Sequence, residues 1–391
     1  MEDDMRDDMR DVDFFRVPCV IMRGGTSKAL FLKENDLPRD KAVRDKIILA
    51  LFGSPDVRQI DGLAGADPLT SKLAIIGPPS RDDADVDYTF GQVSITDLVI
   101  DYSGNCGNIS SAVGPFAIDE SMVRAVEGLT TVRIHNTNTG KILTAEVQVK
   151  NGKAAVTGPC RIDGVPGTSA PIMMNFAATA GSSTGKLLPT GKPVDTIETS
   201  KGPLEVSMVD VSNPCIFIRA KDVNMKGTEN PDEINGNKDL LNYLEEIRAK
   251  CCVIMGKAKT PEEATKYSPA FPMIAFVAEA QDYTDFTTGK TIRKSDVDFV
   301  SRMMFMQVLH KTYPGTGTAC TGAAAKISGT IVYQAIPHID SIETIRIGHP
   351  AGVIPVGAEV KNGEVKKAAI ERTARRLMEG YAFVETARIY G

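Results

Sequence analysis

Short runs of β-branched and aromatic residues, each closed by glycine, proline or asparagine, recur along most of the chain and predict strands. Strand candidates are Val86 to Ile95, Leu98 to Tyr102, Leu204 to Val209, Met273 to Val277 and Ile327 to Tyr333. Helical spacing is rarer. A polar cap and an early proline at Asp36-Leu37-Pro38 open a helix running towards Phe52-Gly53. Asp239 to Val253 and Val297 to Lys311 show the helical period, and Ile370 to Glu379 predicts a short helix near the end. The regular strand–helix alternation of a parallel dinucleotide-binding fold is missing.

The pattern also repeats. Pro18-Cys19-Val20-Ile21-Met22-Arg23 returns as Pro214-Cys215-Ile216-Phe217-Ile218-Arg219, and Thr131-Val132-Arg133-Ile134 returns as Thr344-Ile345-Arg346-Ile347. The run from Glu146 to Gly152 is echoed by the run ending at Gly363; Asn151-Gly152 and Asn362-Gly363 each read as a two-residue hairpin turn. Three matches in one order predict a duplicated α+β unit, mostly antiparallel sheet around a central helix. The stretch from Gly181 to Pro193, rich in Gly, Ser, Thr and Pro, is the expected linker. The expected layout is a disordered tail over 1–12, a first domain over 13–185, a linker over 186–193, a second domain over 194–380, and a final strand over 381–391 that returns to the first.

A chain of 391 residues with 42% hydrophobic and 24% charged residues suits two such units. The formal net charge of −5 gives no basic face for nucleic acid. No apolar run reaches the roughly 18 residues a membrane helix needs. The charged start lacks a secretion signal, and seven cysteines without a CxxC pair fit reduced thiols in the cytoplasm.

Of those cysteines, Cys106 and Cys320 fall opposite one another in the repeat, and each precedes a run of small residues able to start a helix. A thiol at a helix start feels unpaired amides, which lower its pKa and favour thiolate; the same amides bind carboxylates. The alternative is a pair of packed cysteines on duplicated helices, the reading given to the other five. Arg23 to Lys28 offers hydroxyls and amides to an anion, or is an ordinary glycine turn. Lys72 ends a polar, glycine-containing segment directly before the apolar run Leu73 to Ile76; it is a solvated charge or, in a dry pocket, a base or an anion clamp. The GSSTGK run from Gly181 to Lys186 is too short for a phosphate loop, and the four histidines lack metal-ligand spacing. No metal or cofactor is implied. His310 alone among the histidines is kept as a candidate, against the ordinary alternative of a packed core residue.

Several segments together resemble the PrpF family of isomerases, which act on methylaconitate, methylitaconate and oxalomesaconate. They are PCVIMRGGTSK from Pro18, GSPDVRQIDGLAGADPLTSK from Gly53, NCGN from Asn105, VGPFAI from Val113, PGTSAPI from Pro166, ACTGAAA from Ala319 and RIGHPAGV from Arg346. Ala29 stands where the family pattern has glycine. The resemblance implies a diaminopimelate epimerase-like fold of two pseudo-symmetric domains with the site between them. It further implies Lys72 and Cys106 as the proton-handling pair, Ser27 as a substrate holder, and Cys320 in the place of the epimerases' second cysteine. Thr26, Ser71, Gly107 and Asn108 complete the substrate-binding candidates of the first half; Thr318, Thr321 and His310 supply those of the second.

The activity implied is a cofactor-independent 1,3-allylic proton shift in a small unsaturated di- or tricarboxylate, first of all 3-methylitaconate to 2,3-dimethylmaleate. The alternatives are 2-methylaconitate cis-trans isomerisation, 4-oxalomesaconate tautomerisation, a two-cysteine epimerase or racemase, and a non-catalytic thiol-containing binding protein. A homo-oligomer is compatible with all of them.

Overall fold

In the computed structural model, residues 13–390 are described; the expected N-terminal tail lies outside them. One sheet of 19 strands passes through two lobes. It runs from Ala374–Glu385 through Phe14–Gly24, Ser27–Lys33, Lys72–Gly77, Val86–Val93, Gly128–Asn136 and Lys141–Lys150. Ile172–Asn175 then carries it across to Glu364–Arg372. The second lobe continues through Gly352–Lys361, Thr344–His349, Phe299–Phe305, Met273–Glu279, Asn213–Arg219 and Gly202–Val211.

The pairing order is the same in the two lobes. Starting from Phe14–Gly24, successive pairs are antiparallel, parallel, antiparallel, parallel, antiparallel; starting from Gly202–Val211 the same series appears. Each first parallel pair needs a crossover. Helix Lys41–Phe52 supplies it in one lobe and Lys238–Ile254 lies on it in the other. These outer helices cover one sheet face while a central helix covers the other, so Lys72–Gly77 is buried at every position. Both hairpins have the expected geometry, with positive φ at Asn151 (55°) and Gly152 (71°) and at Asn362 (52°) and Gly363 (76°).

The central helices, Gly107–Asp119 and Gly315–Ala325, are buried on all sides. Their small residues let the sheets wrap closely. A Cβ on Gly114 would meet Val147 at 2.8 Å, and one on Gly322 would meet Val356 at 2.7 Å. Gly107 and Gly114 therefore correspond to Gly315 and Gly322.

That correspondence corrects two readings of the repeat. By strand order Asn213–Arg219 matches Ser27–Lys33, so the likeness of Pro214 to Arg219 with Pro18 to Arg23 is not a structural equivalence. By helix start Cys106 matches Pro314; Cys320 lies in the helix interior.

Three elements also differ. Val297 to Lys311 is no helix: Phe299–Phe305 is a strand, and positive φ at Met306 and Gln307 turns the chain into Val308–Leu309. Ile370 to Glu379 spans two strands, and Ile327 to Tyr333 contains the short helix Ile331–Gln334, whose start is capped by Thr330. At Phe299–Phe305 burial of both faces removes the alternation that separates the two periods.

Candidate active site

The starts of the two central helices face each other across the lobe boundary. A Cβ on Gly107 would lie 2.5 Å from the Thr316 nitrogen, and one on Gly315 would lie 2.7 Å from the Gly107 carbonyl carbon. Only glycine at both positions permits that approach. Neither helix has a side-chain cap, because the capping positions hold Cys106 and Pro314. First-turn amides of both helices are thus free for an anion, and their dipoles reinforce one another there.

Asn213 fixes this junction. Its side chain accepts from the Asn105 amide at 2.9 Å, and its Nδ2 donates to the Asn105 carbonyl and to Thr316 Oγ1 at 2.9 Å. Asn213 opens its strand as Ser27 opens the equivalent one.

A narrow cleft opens at the junction, lined by Ser27, Lys72, Cys106, Asn108 and His310 among others. Lys72 is 2% exposed, and its Nζ donates to Gln92 Oε1 at 2.7 Å. Gln92 faces it across the strand pair and is itself held by its Nε2 on the Ser71 and Pro68 carbonyls. The ammonium also stands 4.6 Å from the Phe305 ring centre. Burial lowers the Lys72 pKa from its ordinary value, and the hydrogen-bonded Cys106 and nearby Asp67 only partly oppose that. Cys106 is half-buried, at the mouth of the helix. The amine and the thiol line the same cleft.

Three buried polar atoms among the lining side chains lack partners: Ser27 Oγ, Asn105 Nδ2 and Asn108 Oδ1. Buried polar groups are rarely left so, and three around one gap mark a place for a polar ligand. His310, kept near a pKa of about 3 by burial and then by Lys72, is neutral; its Nδ1 accepts from the Thr312 amide at 3.2 Å, which leaves Nε2 to donate. Lys311 closes the rim by pairing with Asp67 of the other lobe at 2.6 Å.

The remaining candidates sit elsewhere. Ser71 is wholly buried and donates to the Val93 carbonyl at 2.9 Å, so it braces the strand. Thr318 donates to the Pro314 carbonyl inside its helix, and Thr321 pairs with the Tyr313 hydroxyl. Cys320 is wholly buried, 3.3 Å from the Val209 carbonyl and beside Cys215. All four are core residues; helix periodicity turns Thr318, Cys320 and Thr321 from the cleft. Thr26 bridges Asn108 at 3.1 Å and Thr312 at 2.8 Å, on the side away from Lys72. The sequence reading missed Gln92, Asn213, Phe90, Phe271 and Phe305, which carry no motif and become visible only through pairing and packing; Asn105 opens the NCGN string but was not singled out. No group of three metal-ligating side chains is placed together among the described residues.

A hydroxyproline epimerase from Agrobacterium vitis shares this architecture, with a TM-score of 0.57 over 96% of this chain and 93% of that one at 10% identity. That likeness concerns fold alone, and it places the molecule among the two-lobed, diaminopimelate epimerase-like proteins. The finer assignment comes from sequence: the PrpF protein family model matches residues 14–385, and the chain belongs to that family of isomerases. It is 69% identical over 377 residues to the 3-methylitaconate isomerase of Eubacterium barkeri, covering 96% of this chain and 99% of that protein. The crystal structure of a methylitaconate-delta-isomerase superposes with a TM-score of 0.81 at 69% identity, covering 97% and 98% of the two chains.

Proposed function

We propose that this isomerase interconverts 3-methylitaconate and 2,3-dimethylmaleate by a 1,3-allylic proton shift on one face of the substrate, with Cys106 as the proton carrier and Lys72 as its partner. The reacting proton lies on the carbon between a carboxylate and the methylene-bearing carbon. Its removal gives a dienolate whose charge spreads over the allyl unit and that carboxylate, and its return at the methylene carbon makes the methyl group of the product. Free amides of the two opposed helices, with Ser27 and Asn108, stabilise the dienolate carboxylate where water is excluded. Thiol and amine share one proton. Burial lowers the Lys72 pKa, which makes a neutral amine available as a general base beside Cys106 and lets the ammonium return the proton readily.

The observation that carries this reading is the asymmetry of the junction. Lobe one places Cys106, Lys72 and Gln92 where lobe two places Pro314, Met273 and Phe305. Chemistry thus approaches from one side. A two-base epimerase needs an acid–base group on each face, and the second lobe supplies none at the helix start. The free state of all seven cysteines supports a reducing compartment, the cytoplasm.

The test is incubation with 3-methylitaconate, methylaconitate and oxalomesaconate, followed by ultraviolet absorbance. Preferred turnover of 3-methylitaconate is expected, and none on that acid rejects the assignment. In heavy water Cys106→Ala is expected to slow deuterium incorporation by about 10²–10⁴-fold; undiminished exchange removes Cys106 from the mechanism.

A further inference from the structure

Behind the cleft, separated from it by the Thr26–Thr312 hydrogen bond, lies a second chamber of about 160 Å³ lined by Arg372, Arg161, Asp163, Glu371 and His349 among others. Arg372 is 3% exposed. Its Nη1 donates to the Glu371 carbonyl at 2.9 Å, while its Nε, equally buried, has no partner. A buried guanidinium N–H without an acceptor is costly, and the rest of the chamber does not supply one. Asp163 already accepts from the Val353 amide at 2.8 Å, and Glu371 lies against Cys160. Arg23, near the end of Phe14–Gly24, spends Nη1 on the Gly25 and Thr373 carbonyls and the Thr373 hydroxyl.

Arg372 also borders the cleft wall at Asn108. A Cβ on Gly25 would meet Asn108 Oδ1 at 2.3 Å and Arg372 Cδ at 3.2 Å, so a single glycine separates the guanidinium stem from the cleft wall. With positive φ (52°) and no side chain, Gly25 keeps that wall one backbone thick. Thr26, next in sequence, hydrogen-bonds to both Asn108 and Thr312 and is the partition itself.

We propose that the substrate displaces the Thr26–Thr312 hydrogen bond and that Arg372 behind it receives the second carboxylate, the one that does not carry the developing dienolate charge, and so selects dicarboxylates over monocarboxylates. This rests on the reading of the cleft given above. The helix starts hold one carboxylate, and a dicarboxylate needs a second holder within one molecule's length. Glu371 and Asp163 lining the same chamber disfavour a doubly charged group such as phosphate, whereas one carboxylate matches one guanidinium fork. His349 offers a neutral donor beside it, since its Nδ1 accepts from the Ala351 amide at 3.2 Å.

The test is calorimetric titration of succinate and butyrate, acids of equal length, into wild type, Arg372→Gln and Arg372→Lys, with folding of each checked by circular dichroism. Wild type is expected to bind succinate at least about 10-fold more tightly than butyrate, and Arg372→Gln to erase most of that ratio. Lysine, lacking the fork, should restore part of it. In turnover, Arg372→Gln should raise KM by about 10–100-fold with kcat much less changed, the mark of uniform binding. A succinate-to-butyrate ratio unaltered in both variants overturns the proposal, as does failure of wild type to bind succinate. Succinate bound through Arg372 without competing against turnover also overturns it, since the chamber then serves a separate anion. Inactivity of wild type towards 3-methylitaconate would instead sink the proposed function, while the binding ratio still reports on Arg372.

Discussion

Replacing Lys72 by methionine separates what the buried amine does for chemistry from what it costs the fold. The methionine keeps the stem packed against Phe90 and Phe305, whose ring centres lie 5.5 and 4.6 Å from Nζ. Two losses follow. Gln92 Oε1 loses its 2.7 Å donor, which costs about 1–3 kcal/mol, and the cation–π contact takes about 0.5–2 kcal/mol with it. Against these, removing a buried ionisable group in favour of an apolar one returns about 1–4 kcal/mol. The opposing effects are of equal size, so the stability at neutral pH should change by less than about 2 kcal/mol while turnover falls by about 10²–10⁴-fold. The pH dependence is the sharper readout. Because burial lowers the folded-state pKa below the ordinary 10.5, the unfolded chain binds more protons between those two values. Wild-type stability relative to the methionine variant must therefore rise with pH in that window, and the penalty is complete below it. Urea unfolding of both proteins from neutral pH to beyond 10 measures the difference and cancels the titration of other groups. A variant destabilised by more than about 4 kcal/mol, with a gap that widens on acidification, would mean that the ammonium is favourably paired, and the reasoning would fail.

Three other outcomes test separate parts of the structure. Gly107→Ala or Gly315→Ala must push the helix starts apart, since the new methyl meets backbone atoms at 2.5–2.8 Å; a loss of about 1–3 kcal/mol in chemical denaturation is expected together with a fall in kcat, and unchanged activity would deny that the junction is the anion site. Cys320→Ser should keep kcat/KM within about threefold while costing about 1–3 kcal/mol of stability, because the thiol lies in the core; loss of turnover in a folded variant would revive the two-cysteine mechanism. His310 refuses a proton down to about pH 3, whereas in the unfolded chain it takes one near 6.5, so stability is lost as pH falls through that interval. His310→Asn should flatten that loss between pH 6.5 and 4.5, leaving the part due to buried His349, whose pKa is likewise lowered by burial.

What the sequence disclosed about the fold followed from local chemistry. The Asn-Gly turns were legible because a two-residue hairpin demands positive φ at both positions, a demand few residue pairs meet. The repeat was legible where those turns and the strands Gly128–Asn136 and Thr344–His349 lie, since these alternate buried and exposed positions. It misled at Pro214 to Arg219, because a strand covered on both faces is simply apolar, and apolar runs resemble one another whatever their place in the sheet. The strand Phe299–Phe305, buried throughout, was mistaken for helix on the same ground.

The site was half legible, and the missing half follows from the duplication. Lys72, Cys106 and Ser27 stand out as polar residues beside apolar strands and small-residue runs, but the alignment that seemed to pair Cys106 with Cys320 fixed attention on a chemical match. Pairing the glycines that must touch, Gly107 with Gly315 and Gly114 with Gly322, shifts the register and sets Pro314 opposite the thiol. A gene duplication that kept the geometry of two opposed helix starts thus kept an anion-binding junction, because amides do not depend on side-chain identity. It did not keep two acid–base groups, and the lobe that lacks them contributes Met273 and Phe305, which exclude water and depress the lysine across the gap. In the proposed mechanism one lobe supplies proton chemistry and the other a dry wall, which is the division of labour a same-face allylic shift requires.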